Sequence, residues 1–145
     1  MNLRLMMKTI GAINLFLGCL MFIPATFAFF DGMKGFWPFI DAIAICLAIS
    51  ALLYFSNFKA TGEISRRDGL AIVGLVWFST SCFAAIPFYL NGGFGDSFTN
   101  ALFESVSGFT TTGASILVKI SILPQSILLW RSMIQWLGGM GIVLL

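Results

Sequence analysis

From Thr9 to Phe30 the sequence runs for 22 residues without a charged side chain, with Arg4 and Lys8 before the run and Asp31 after it. At about 1.5 Å of rise per residue, roughly 20 helical residues cross the hydrocarbon layer of a bilayer. A run of this length exceeds the short apolar core of a secretory leader and reads as a retained spanning helix. The span is expected from about Ile10 to Phe29, with Pro24 bending it. A second span is expected from about Phe39 to Phe58, with Asp41 near its outer end. A third runs from about Leu70 to Leu90, and a last begins near Ser126 and is still apolar at Leu145. Hydrophobic residues make up 59% of the chain and charged residues 10%, with a mean hydropathy of +0.97. A soluble domain needs more charge than that to cover its surface. The expected fold class is an all-α membrane protein.

The same composition excludes function classes. There is no histidine, which removes the commonest metal ligand and the commonest general base. A membrane enzyme is therefore the weakest reading, and no cofactor is expected. No basic stripe with interleaved aromatics occurs, so nucleic acid is not an expected partner. Cys19, Cys46 and Cys82 each sit inside an apolar run without metal-ligand spacing, and read as small packing residues.

Charge distribution predicts sidedness. The N-terminal segment carries Arg4 and Lys8, and the connection from Lys59 to Asp68 carries Lys59, Arg66 and Arg67. The connection from Phe30 to Pro38 holds only Lys34, and the stretch from Asn91 to Gln125 only Lys119. The bias of basic residues toward cytoplasmic loops then puts the N-terminus in the cytoplasm. Trp37, Tyr89 and Trp130 fall near the expected outer boundaries and Tyr54 near an inner one, a depth that amphipathic rings favour.

The chemistry is expected between residues 91 and 125. Asn91-Gly92-Gly93-Phe94-Gly95 is a turn, and Asp96, Ser97 and Thr99 offer helix N-cap groups. Phe98 to Phe109 reads as a helix too short to cross a bilayer, as expected of a re-entrant or core segment. Ser105, Ser107 and Gly108 give it a small, partly polar side suited to burial among helices. If it enters from outside, its C-terminal end points at the membrane centre, and the negative end of its dipole faces any cation there. Thr110-Thr111-Thr112-Gly113-Ala114-Ser115 follows. Non-helical backbone at membrane depth is tolerated only inside protein or lining a watery cavity. Glycine permits the angles that turn successive carbonyls toward one axis, and carbonyl rings replace the hydration shell of K⁺ in channel filters. Spacing alone leaves a second reading open, a polar external turn between two helices.

Phe103-Glu104-Ser105-Val106-Ser107-Gly108-Phe109-Thr110-Thr111-Thr112-Gly113-Ala114 resembles the first pore loop of the Trk/Ktr potassium transporter family, in its TrkH/TrkG-like membrane subunits. Leu129-Trp130-Arg131-Ser132-Met133-Ile134-Gln135-Trp136-Leu137-Gly138-Gly139-Met140-Gly141-Ile142 resembles the helix that follows it. The resemblance extends over the whole chain. It implies a leading pair of transmembrane helices (1–62), then the first of four helix–pore loop–helix repeats (63–145) of potassium-channel type. It implies that Thr111, Thr112 and Gly113 give carbonyls to a K⁺ filter, with K⁺ at the backbone carbonyls of Thr111 and Thr112 and with Thr110 and Ala114 flanking. Ala114 and Ser115 depart from the Thr-Val-Gly-Tyr-Gly pattern of channel filters. The implied partners are K⁺, the lipid bilayer, a cytosolic NAD-binding regulatory subunit and a second membrane subunit in a homodimer. The implied location is the bacterial cytoplasmic membrane. Members of the family carry several times more spans, so the chain is expected to be an N-terminal portion, stopping inside its last helix. The alternative is a truncated, non-transporting membrane interaction protein.

Glu104 falls within the short helix and Arg131 just inside the last span. Unpaired charges at that depth are costly, and the two are expected either to pair and brace the loop or to reach water separately. Gln135 is expected to hydrogen-bond between helices. Gly138, Gly139 and Gly141 allow close helix approach, with a gating bend as the alternative. Asp41 is expected at the outer interface rather than on an ion.

Overall fold

The computed structural model describes residues 2–62, 64–93, 97–117 and 123–144, the last three of these by backbone alone. The described residues form helices and no strand: α1 (Leu3–Leu20), α2 (Phe22–Phe30), α3 (Phe36–Ser56), α4 (Arg66–Asn91), α5 (Phe98–Phe109) and α6 (Gln125–Leu144). Among them, Leu3–Phe30, Phe36–Ser56 and Arg66–Asn91 are long and apolar enough to cross a membrane.

Local chemistry accounts for the boundaries. α1 and α2 are two stretches of one rod broken at Met21. Pro24 has no N–H to offer the carbonyl of Leu20, four residues back, so the ladder loses its rung where the rod breaks. Asn2 caps α1 by accepting from the Leu5 N–H at 3.2 Å, and Ser65 caps α4 by accepting from the Asp68 N–H at 3.2 Å. That cap starts α4 four residues before the apolar stretch begins. Gly92, at φ +74°, ends it in the left-handed conformation that glycine adopts without strain.

α1 and α3 run antiparallel and closely packed. A methyl group at Gly11 would lie 2.8 Å from the Tyr54 nitrogen and 2.9 Å from the Ser50 oxygen, so only glycine allows this crossing. At one end of the pair, Lys8 Nζ donates to the carbonyls of Phe58 (2.8 Å) and Ala60 (3.1 Å). At the other end, Ser126 Oγ donates to the Lys34 carbonyl at 3.2 Å, tying the α2–α3 connection to the start of α6.

The core joins Leu17 and Met21 of the first rod, Phe39 and Ile43 of α3, Ala84 and Phe88 of α4, and Trp130 and Ile134 of α6. Trp130, about one helical turn along from Ser126, is fully buried in protein; its ring N–H donates to the Ala84 carbonyl at 3.1 Å, and its ring meets Phe39 edge-on. Trp37 and Tyr89 are exposed. Tyr54 is half-buried and packs on Phe55 and Phe58.

Candidate functional site

α5 descends alongside α4 in the opposite direction. Phe98 packs on Tyr89 (ring centroids 5.8 Å apart), Ser105 Oγ donates to the Ser81 carbonyl at 2.8 Å, and Phe109 packs on Trp77 (6.3 Å). From Tyr89 to Trp77 is about 18 Å along the helix, so α5 ends near mid-depth of α4. The small, partly polar side of α5 is the side that makes this possible: Ala101, Ser105 and Ser107 are buried. Ser97 occupies the N-cap position without a side-chain cap bond, and Asp96, offered as a cap from the sequence, lies outside the described residues.

At the foot of α5 the chain turns and climbs back along it. The Thr110, Thr111 and Thr112 N–H groups donate to the carbonyls of Val106, Gly108 and Ser107 at 2.9, 3.0 and 3.0 Å, satisfying the helix end. Thr111 (φ +55°) and Gly113 (φ +75°), two residues apart, both take the left-handed conformation. For threonine that conformation costs about 1 kcal/mol, and Thr111 Oγ1 donates to the Thr110 carbonyl at 2.7 Å. On the return, Ser107 Oγ donates to the Ala114 carbonyl at 2.6 Å, and Ser115 Oγ donates to both Glu104 carboxylate oxygens at 3.1 Å. The pairing of 107 with 114 and of 104 with 115 defines a tight antiparallel return.

The carbonyls divide into two sets. Those of Thr110 and Ala114 accept hydroxyl hydrogen bonds. Those of Thr111, Thr112 and Gly113 accept none among the described residues, and all three residues are exposed. Three successive carbonyls of exposed residues are thus left without a hydrogen bond among the described residues, at the negative end of α5.

Glu104 is almost wholly buried, its side chain 1% exposed against 26% for Arg131, and Arg131 Nε lies 2.5 Å from Glu104 Oε1. The Ile116 N–H also donates to Glu104 Oε2, at 3.3 Å. One carboxylate therefore joins α5, α6 and the returning strand. Gln135 is exposed and Asp41 is exposed on α3. Gly138 seats α6 against the backbone of Phe109, and Gly139 lies near Thr111, where an added methyl would be 3.8 Å from Thr111 Cγ2. The residues that sequence reasoning missed are Ser107 and Ser115 as donors. Their only signal was position, seven and eleven residues from the groups they bond across a turn.

An apolar cavity of about 440 Å³ lies between α1, α4 and α6, lined by Leu17, Trp77, Phe109 and Leu137 among others. Of its lining groups, the Thr80 hydroxyl already donates to Val76 at 2.7 Å.

Three span-length helices packed with a shorter helix and its returning turn are the build of an integral membrane protein. The chain belongs to the TrkH family, described as cation transport protein, whose pattern matches residues 37–145. It is 40% identical over 148 residues to the Trk system potassium uptake protein TrkH of Halomonas elongata and 37% identical over 145 residues to that of Escherichia coli K12. Each match covers 100% of this chain and 30% of the relative. It is 32% identical to the E. coli TrkG protein over 84% of this chain and 25% of that one. The crystal structure of the potassium transporter TrkH from Vibrio parahaemolyticus superposes with a TM-score of 0.90 at 34% identity, covering 99% of this chain and 31% of that one. The chain thus spans between a quarter and a third of the length of these relatives.

Proposed function

We infer that this chain forms the N-terminal part of a Trk-type K⁺ uptake protein, and that its 110–113 turn is one strand of the ion filter. The observation that carries the reading is the row of three unbonded carbonyls, Thr111 to Gly113, at the foot of a half-depth helix. Alternate left-handed residues let neighbouring carbonyls share one side, and carbonyl oxygens replace the hydration shell of K⁺. In this reading K⁺ sits at the Thr111 and Thr112 carbonyls, Thr110 and Ala114 flank, and no covalent chemistry occurs. The names of the relatives, potassium uptake proteins, support K⁺ as the cargo.

Residues 1–62 then form a leading helix pair and 63–145 a helix–pore loop–helix unit. One strand supplies one side of a carbonyl ring, so further strands must complete it. The protein lies in the bacterial cytoplasmic membrane with its N-terminus inside. An NAD-binding cytosolic subunit and a second membrane subunit are its partners by family resemblance. Glu104 and Arg131 brace the strand, and the exposed Gln135, which bonds no helix among the described residues, is placed to bond one outside them.

Gly113→Ser in a full-length protein carrying this segment tests the filter. An added Cβ at Gly113 meets nothing within 4 Å, but the residue sits at φ +75°, so the change strains the backbone without a clash. Rb⁺ uptake measured against competing Na⁺ is expected to show reduced K⁺/Na⁺ discrimination. Unchanged discrimination would remove the turn from the filter.

A further inference from the structure

The row of unbonded carbonyls is interrupted after Gly113. The backbone itself does not stop, since Ala114 continues the same strand with a carbonyl of its own. That carbonyl is taken by Ser107 Oγ at 2.6 Å, the hydroxyl reaching across the turn from the last full turn of α5. At the lower end, Thr110 is taken by the hydroxyl of Thr111 at 2.7 Å. Just above Ala114, the strand is gripped again. Glu104 holds the Ser115 hydroxyl at 3.1 Å and the Ile116 N–H at 3.3 Å, while Arg131 holds Glu104.

We propose that Ser107 and Glu104 are specificity-determining positioning residues: together they clamp the strand leaving the turn and withdraw the Ala114 carbonyl, so that the consecutive carbonyls offered to the ion are those of Thr111, Thr112 and Gly113. The proposal rests on the filter reading above. It deepens that reading by assigning the outer limit of the ion-binding row to a side chain outside the Thr-Thr-Thr-Gly motif. Both residues suit the task. Ser107 is buried on a helix, and a short hydroxyl has few alternative rotamers. Glu104 is buried and fully engaged, so its oxygens are fixed in place. With Ser107 Oγ removed, the Ala114 carbonyl is released, the strand gains freedom, and the cage can shrink around a smaller cation.

The test uses Rb⁺ uptake with Na⁺ competition, in cells lacking their own K⁺ uptake and expressing a full-length protein that carries this segment. Ser107→Ala is expected to lower K⁺/Na⁺ discrimination roughly fivefold, the equivalent of one hydrogen bond. Ser107→Thr retains the hydroxyl and is expected to restore most of it. Ser115→Ala is expected to act in the same direction but less, because the Ile116 N–H still holds Glu104. Should Ser107→Ala fail to reach the membrane, the pair Ser107→Thr and Ser107→Val decides, since the two side chains share a shape and differ in the hydroxyl. Equal discrimination in that pair, or wild-type discrimination in Ser107→Ala, overturns the clamp. Gly113→Ser in the same assay separates the two readings. If it alters discrimination while the hydroxyl pair does not differ, the clamp alone falls. If it too is without effect, the filter reading falls and takes the clamp with it.

Discussion

At the scale of single residues, the dominant fact is one carboxylate with three donors. Glu104 is buried, and its charge is met by Arg131 from α6, the Ser115 hydroxyl and the Ile116 N–H. Removing one partner of a buried pair is costlier than neutralising the buried charge, because it strands that charge. Arg131→Met is therefore expected to destabilise by about 3 kcal/mol, near the lower end for broken buried pairs because two other donors remain. Glu104→Gln keeps a hydrogen-bonding group and leaves Arg131, which is 26% exposed, free to reach water. Its loss is expected to be distinctly smaller. Thermal unfolding of the two purified variants in one detergent compares them, and equal losses would mean that Arg131 serves packing rather than charge. The sequence made both residues conspicuous, as charges where the membrane disfavours them. It did not reveal Ser115 or Ile116 as donors, because a serine in a Thr/Ser/Gly run looks like any other polar loop residue until the return of the strand is known.

At the scale of elements, how α5 seats on α6 decides where the turn lies. A methyl group at Gly138 would overlap the Phe109 backbone, with the Phe109 carbonyl carbon only 2.6 Å away. Backbone cannot rotate aside as a side chain can. Gly138→Ala is expected to cost about 3 kcal/mol, the upper range for overpacking, and to reduce the yield of monodisperse protein. Gly139→Ala, with its nearest neighbour at 3.8 Å, is expected to change stability by less than about 1 kcal/mol. Matched size-exclusion profiles for the two variants would contradict the contact. The glycine triplet was legible as a close-approach motif, but which glycine makes the approach was not, since all three have the same composition and differ only in helical phase. The extent of α5 was fully legible. A polar turn precedes Phe98 and a Thr/Gly run follows Phe109, so the helix had local start and stop signals. Hydropathy marks the apolar span from about Leu70, whereas Ser65 sets the helix start at Arg66. The partner of Trp130 was not legible either, because an indole suits a membrane interface while the same N–H can be satisfied by a buried carbonyl, here that of Ala84.

At the scale of the whole molecule, the contacts sort the loops into two ends. Asn2 Nδ2 donates to the Thr61 carbonyl at 3.4 Å and Lys8 Nζ to the carbonyls of Phe58 and Ala60, so the N-terminus and the α3–α4 connection share one end. Lys34 meets Ser126 at the other end, and Asn91 lies beside Gly35 there. Arg4, Lys8, Lys59, Arg66 and Arg67 therefore gather at the first end, whereas Asp31 and Lys34 lie at the second. Basic residues next to spans are retained on the cytoplasmic side, so the first end is expected to face the cytoplasm and the 110–113 turn to be approached from outside. Reporter fusions check this directly. Alkaline phosphatase, which needs an oxidising compartment for its disulfides, is expected to be active when joined after Met33 and inactive when joined after Gly62. A fluorescent protein that matures only in the cytoplasm is expected to give the opposite pattern. The inverse result at both sites would turn the molecule over. α5 would then enter from the cytoplasmic side, with its negative end directed outward.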